Sequence, residues 1–162
     1  MSNVYIGLGS NLDGPLSQIQ AALRSLKALP ETTLVRCSQF YSSTPLGPED
    51  QPDFVNAVCQ LQTQLSPEDL LSALQKIEVD QGRIKKRHWG ERLIDLDIIL
   101  YADDIIKTAD LTIPHAQVAL RDFVLIPLAE IAPGLVIPDL GLVETLITNL
   151  ETSYLKPLTL SL

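Results

Sequence analysis

The chain has 162 residues, of which 46% are apolar and 20% charged, enough to bury a core and too apolar for a disordered chain. A formal net charge of −8 argues against general affinity for nucleic acid or anionic membrane, and no apolar run approaches the ~20 residues needed to span a bilayer. Two cysteines, Cys37 and Cys59, give neither a disulfide framework nor metal-ligand spacing, and "MSNVYIGLGSNL" lacks the basic and apolar regions of a signal peptide, so one domain over 1–162 in a reducing, cytoplasmic setting is expected.

"NVYIGLG" reads as a first strand. "GLGSNL" lacks the third glycine of a dinucleotide fingerprint, since position 12 is Leu, so it reads as a tight strand-to-helix turn with Asn11 or Asp13 near the helix start. Leu16, Ile19, Leu23 and Leu26 follow at helical spacing, between Pro15 in the first turn and Pro30 past the end. "TTLVRCSQFY" reads as a second strand, and "STPLGPEDQPD" as a loop. "FVNAVCQLQT" alternates, with Val55, Ala57, Cys59 and Leu61 on one side of a third strand. In "SPEDLLSALQKIEVDQGR", Ser66 and Asp69 form a capping box, Pro67 takes the first turn, Leu70, Leu74 and Ile77 form the core stripe, and Gly82 stops the helix. A fourth strand covers about 93–101, followed by a Pro-broken C-terminal part.

This order, β-α-β twice, predicts an α+β fold of the ferredoxin-like βαββαβ plan: an antiparallel sheet with two helices on one face, plus a C-terminal extension.

The chemistry is concentrated in "RIKKRHWGERLIDLDIILYADD". Residues i and i+2 of a strand share a face, so Asp95 and Asp97 present two carboxylates side by side, while Ile94, Leu96, Ile98 and Leu100 face the core. Two readings fit. One is the solvated side of an antiparallel strand. The other is a site for Mg²⁺, the hard cation suited to paired carboxylates with phosphate oxygens. Five of the twelve Lys and Arg residues lie within 83–92, beside the pair: Arg83, Lys85, Lys86, Arg87 and Arg92, with His88 among them. A basic run is commonly just a solvated loop. Cations next to a carboxylate pair are also what phosphoryl transfer needs. No Walker A sequence is present.

"HWGERLIDLDII" resembles the signature of the 6-hydroxymethyl-7,8-dihydropterin pyrophosphokinases of folate biosynthesis. "YIGLGSNL", "STPLGPEDQPDFVNAV", "EDLLSALQKIEVDQGR" and "LTIPHAQVALRDFVLIPLAEIAP" resemble the family's other blocks, in the same order. The resemblance implies the ferredoxin-like fold and transfer of the β,γ-pyrophosphoryl group of ATP to the pterin's hydroxymethyl oxygen, with two Mg²⁺ ions and release of AMP. It implies Asp95 and Asp97 as metal ligands, and Arg83 and Arg92 at the ATP phosphates, catalytic together with the two aspartates. It places Trp89 in a loop closing over the nucleotide, and Gln75, Glu78, Ile98, Thr112, His115 and Arg121 at the nucleotide site. For the pterin it implies stacking between Phe54 and Phe123, polar contacts from Asn56 and Asp95, and a backbone contact from Thr44, Pro45 and Leu46. A monomer acting on these small molecules is expected. A non-catalytic ligand-sensing domain would need neither the Asp pair nor the arginines. An RNA-binding sheet would need surface aromatics and basic charge that three Phe and −8 do not supply.

Overall fold

The computed structural model describes residues 1–12, 14–43, 52–82 and 93–150, and the backbone of 155–156. The expected loops at 43–53 and 83–92, and Asp13 as a helix cap, therefore lie largely or wholly outside the described residues.

Strand β1 (Ser2–Ser10) leads to helix α1 (Pro15–Lys27). Asn11 does not cap that helix. The N-cap is Gly14, at φ 74°, a left-handed conformation that glycine adopts without steric cost. Asn11 is instead buried, and its Nδ2 donates to the Pro52 carbonyl at 2.9 Å, tying the turn to the start of the third predicted strand.

The second predicted strand is two: β2 (Thr32–Cys37) and β3 (Tyr41–Ser43). Both pair with β4 (Phe54–Thr63), β2 at its C-terminal part and β3 at its N-terminal part. Ser38 makes the break: its N–H donates to the Val58 carbonyl, and its Oγ accepts from the Val58 N–H. A hydroxyl thus replaces one backbone acceptor, which lets the chain shift before β3 begins.

Helix α2 (Pro67–Asp80) starts as its sequence predicts, with the Asp69 N–H donating to Ser66 Oγ at 3.1 Å. It leads to strand β5 (Asp95–Tyr101). Among the described residues the main sheet runs β5–β1–β4, with β2 and β3 sharing the far edge of β4, and every pairing is antiparallel. This is the predicted ferredoxin-like order. Small hairpins follow, β6 (Ile106–Lys107) with β7 (Thr112–Ile113), then helix α3 (Asp122–Ile131), then β8 (Val136–Ile137) with β9 (Gly141–Leu142), helix α4 (Val143–Thr148), and β10 (Leu155–Lys156) beside β3.

The sheet is covered on both sides. Val4, Ile6 and Leu8 of β1, Ala57, Cys59 and Leu61 of β4, and Ile94, Leu96 and Ile98 pack against Ile19, Leu26, Leu70, Leu74 and Ile77 of α1 and α2. Val58, Ile99 and Leu100 pack on the opposite face against Val124, Leu125 and Leu128 of α3. Leu100 therefore does not share the α1/α2 core with Ile94, Leu96 and Ile98, as strict alternation predicts. The pairing of β1 with β5 shifts between Tyr5↔Leu100 and Ile6↔Ile98, leaving Ile99 as an extra residue. Such a bulge reverses the alternation beyond it.

Candidate active site

The bulge and the register define one working face. On it, Asp95 stands directly across from Gly9 and Asp97 from Gly7 on β1; Gly9 in turn faces Asn56 on β4, and Gly7 faces Val58. Phe54, two residues before Asn56, shares this face and pairs with Ser43. The amide, the carboxylates and one aromatic therefore ring a strip of β1 that carries no side chains.

Asp97 is exposed and Asp95 half-buried. Their Cβ atoms lie roughly 6–7 Å apart by strand geometry. At that spacing two carboxylates repel by roughly 1–3 kcal/mol, between the limits for bulk water and for a protein surface. The donor set fits magnesium: hard oxygen ligands, partly open to incoming phosphate oxygens. Among the described residues no group of three or more His, Cys, Asp or Glu side chains is placed to hold a metal alone. Two carboxylates completed by substrate oxygens is the usual way Mg²⁺ is bound beside phosphates.

Glu78 was expected beside the nucleotide. Its carboxylate is buried, and Oε2 accepts from the Leu96 N–H at 2.9 Å, the peptide between the two aspartates. It thus anchors the start of β5 to α2. Gln75, one helical turn earlier, is exposed. Ile98 is buried in the α1/α2 core, facing away from the carboxylates, so its side chain does not line their face.

The segment after β7 crosses back to β5. His115 donates its backbone N–H to the Ile99 carbonyl at 3.0 Å, and its Nδ1 accepts from the Gln117 N–H at 3.2 Å. Burial pushes the His115 pKa below its ordinary value, the Asp97 carboxylate opposes that, and the Arg121 guanidinium adds to it. Arg121 donates from Nη2 to Gln117 Oε1, and its guanidinium carbon lies 5.6 Å from the centroid of the Phe123 ring. Phe123 is half-buried against the α3 core. Thr112 is exposed on β7.

The structure therefore brings Asp95, Asp97, Phe54 and Asn56 onto one face, with His115 close enough to Asp97 to feel its charge and Arg121 to feel His115. Thr44, Pro45, Leu46, Arg83, Trp89 and Arg92 lie outside the described residues. Gln117 went unread in the sequence. It orients His115 through its backbone and Arg121 through its side chain, and its place between them in "PHAQVALR" was the available signal. Asn56 is also better defined than its residue type implies. Its Nδ2 donates to Ser43 Oγ at 2.7 Å, which leaves Oδ1 turned toward the bare strip as an acceptor.

Residues 5–133 match the family model described as 7,8-dihydro-6-hydroxymethylpterin-pyrophosphokinase. The chain is 52% identical over 147 residues to a protein of Haemophilus influenzae named 2-amino-4-hydroxy-6-hydroxymethyldihydropteridine pyrophosphokinase, covering 91% of this chain and 92% of that one. It is 52% identical over 139 residues to a Pseudomonas aeruginosa protein of the same name, covering 86% of each. Its fold is similar to the crystal structure of Plasmodium falciparum HPPK-DHPS wild type with pteroate, with a TM-score of 0.73 at 13% identity, over 91% of this chain and 42% of that one. The chain thus spans less than half the length of that longer protein, and the likeness bears on fold alone. On the family match and the two close relatives, this chain belongs to the 7,8-dihydro-6-hydroxymethylpterin-pyrophosphokinase family.

Proposed function

We propose that the protein transfers the β,γ-pyrophosphoryl group of ATP to the hydroxymethyl oxygen of 6-hydroxymethyl-7,8-dihydropterin and releases AMP, as a step of folate biosynthesis. The hydroxymethyl oxygen attacks the β-phosphorus, the bond from that phosphorus to the α-bridging oxygen breaks, and the hydroxyl proton leaves to solvent. The observation that carries the reading is the face of β5, where two carboxylates share a working surface with an aromatic and an oriented amide.

Asp95 and Asp97 are the residues that hold magnesium, two ions in all, with Asp95 also facing the pterin. Bound there, magnesium would supply positive charge against the negatively charged oxygens of the triphosphate. Glu78 keeps the start of β5 in place while the carboxylates are loaded. Phe54 and Phe123 offer π-faces to a flat heteroaromatic ring. Asn56 Oδ1 accepts a hydrogen bond from a ring-edge N–H. Arg121 stands over Phe123 and near His115, so it links the aromatic that stacks on the pterin to the nucleotide side. His115, Thr112, Gln75 and the backbone of Ile98 make up the rest of the nucleotide side. Arg83, Arg92 and Trp89 belong to the basic loop that closes on the phosphates, and Thr44, Pro45 and Leu46 contact the pterin through the backbone. Acting on small molecules, as one domain and a monomer in the cytoplasm, completes the reading.

The test is direct. Purified protein incubated with ATP, Mg²⁺ and the pterin alcohol should form AMP and the pterin diphosphate in equal amounts. Formation of ADP, or no AMP above a control lacking pterin, would overturn it.

A further inference from the structure

Gly9 is the penultimate residue of β1 and is paired on both sides, a position where glycine weakens a strand and a side chain is the norm. Among the described residues nothing in the fold demands it. Its φ is outside the left-handed region that favours glycine. A Cβ built on it would meet Asn56 Oδ1 at 3.4 Å and Phe54 Cδ1 at 3.7 Å, ordinary van der Waals contact. Gly7 differs: a Cβ there would stand 3.2 Å from Ile99 Cδ1, so packing beneath the α3 core explains why that position is small. A strand glycine with room for a methyl and an unstrained backbone calls for another reason, and close approach of a ligand to the backbone is the usual one.

The register shows where that ligand would lie. Gly9 is directly between Asn56 on one neighbouring strand and Asp95 on the other. Two inter-strand spacings put those residues roughly 10 Å apart. The row reads amide oxygen, bare backbone, carboxylate, with Phe54 diagonal to the gap. A flat ring bearing N–H groups at its edges fits such a slot, with acceptors at both ends and no side chain beneath.

We propose that Gly9 is a specificity-determining residue of the pterin site: its missing side chain is the floor that lets the ring enter between Asn56 and Asp95. This rests on the function proposed above and adds a residue to it. A methyl at Gly9 is compatible with the free protein and incompatible with the ring. The nucleotide-side groups on β7 and α2 are not its neighbours in the sheet.

The test is Gly9→Ala, assayed by AMP release with each substrate varied in turn, by titration with 6-hydroxymethyl-7,8-dihydropterin, and by thermal unfolding. KM for the pterin should rise roughly 10- to 100-fold, the scale of one added methyl group in a filled pocket, while KM for ATP changes less than about twofold. The melting temperature should stay level or rise, because alanine restricts the unfolded chain more than glycine does. An unchanged pterin KM would overturn the proposal. So would a variant that fails to fold, since the fold itself would then require the glycine. A wild-type protein that releases no AMP would instead strike the proposed function, a result separable from failure of the Gly9 inference alone.

Discussion

The two faces of β5 differ sharply in composition. Toward α1 and α2 the strand turns Leu96 and Ile98, joined by Ile94 just before it, all buried in a close-packed apolar layer. Toward the other side it turns Asp95 and Asp97 over two glycines of β1. One face lowers the free energy of folding by removing apolar surface from water. The other raises it, through repulsion between like charges and through glycines that bury no side chain of their own. A strand can carry that cost because the opposite face supplies the burial, and the position of α3 shows where the division lies. That helix covers Ile99 and Leu100 beyond the bulge and leaves the aspartate end open.

The largest effect should come from the charged face. Asp97→Asn and Asp95→Asn should each lower kcat/KM for AMP formation by two to three orders of magnitude, the scale of losing one charge-stabilising group. Both should fold normally, and their metal-free melting temperatures should equal or exceed the parent's. Near-normal turnover at saturating Mg²⁺ would remove the distinction between the faces.

The core face should answer in the opposite way. Leu74→Ala, at a fully buried position of α2, should cost about 3 kcal/mol of stability. At a temperature where the variant remains folded, its KM values should be close to the parent's. Denaturant unfolding alongside AMP assays separates the two effects.

Phe123 sharpens the comparison because it packs against the α3 core and is also the aromatic proposed to stack on the pterin. Phe123→Ala should weaken pterin binding by roughly 1–3 kcal/mol, the range for losing an aromatic stacking partner, with less change for ATP. If it lowered stability instead and spared pterin affinity, the ring would belong to the core.

Ser66→Ala tests a feature remote from both faces. Loss of the Asp69 N–H···Oγ bond should cost about 1 kcal/mol by chemical denaturation and leave catalysis alone. A cost near zero would mean that Pro67 and the acidic first turn define the helix start without the hydroxyl.

The smallest effect is alkaline. Burial and, second, the Glu130 carboxylate push the Cys37 thiol up to about 11 from 9.0. Burial, then the hydrogen bond to Glu130 and its charge, push Tyr41 up to about 12 from 10.0. Both groups hold their protons more tightly when folded. Their contributions are therefore fully present below pH 9.0 and 10.0 respectively, and are lost as pH rises through about 11 and 12. Melting temperature should fall gently over this window, and Tyr41→Phe should flatten the upper part of the slope. A slope unchanged in that variant would place the loss elsewhere.

Much of this protein follows from local pattern. The α2 capping box, the α1 and α2 stripes, the alternation of β4 and the placing of two carboxylates on one face of β5 are set by residues a few positions apart. Period and rotamer geometry act at that range, so the βαββαβ order can be read directly. The motif blocks carried the functional reading further than periodicity does, because they mark which polar residues stand together in the fold.

Other features depend on partners distant in the chain. Ser38 ends β2 because Val58, twenty residues away, is placed to bond it. Asn11 turns inward to Pro52 instead of capping α1, leaving the left-handed Gly14 to start the helix. Ile99 becomes a bulge only through its register with β1, which moves Leu100 into the second core. The resemblance places Glu78 at the nucleotide site, and only the position of β5 shows that its carboxylate accepts from the Leu96 N–H. Each is a hydrogen-bonding or packing choice between alternatives of similar local energy. Only the assembled sheet, by supplying or withholding a partner, decides among them.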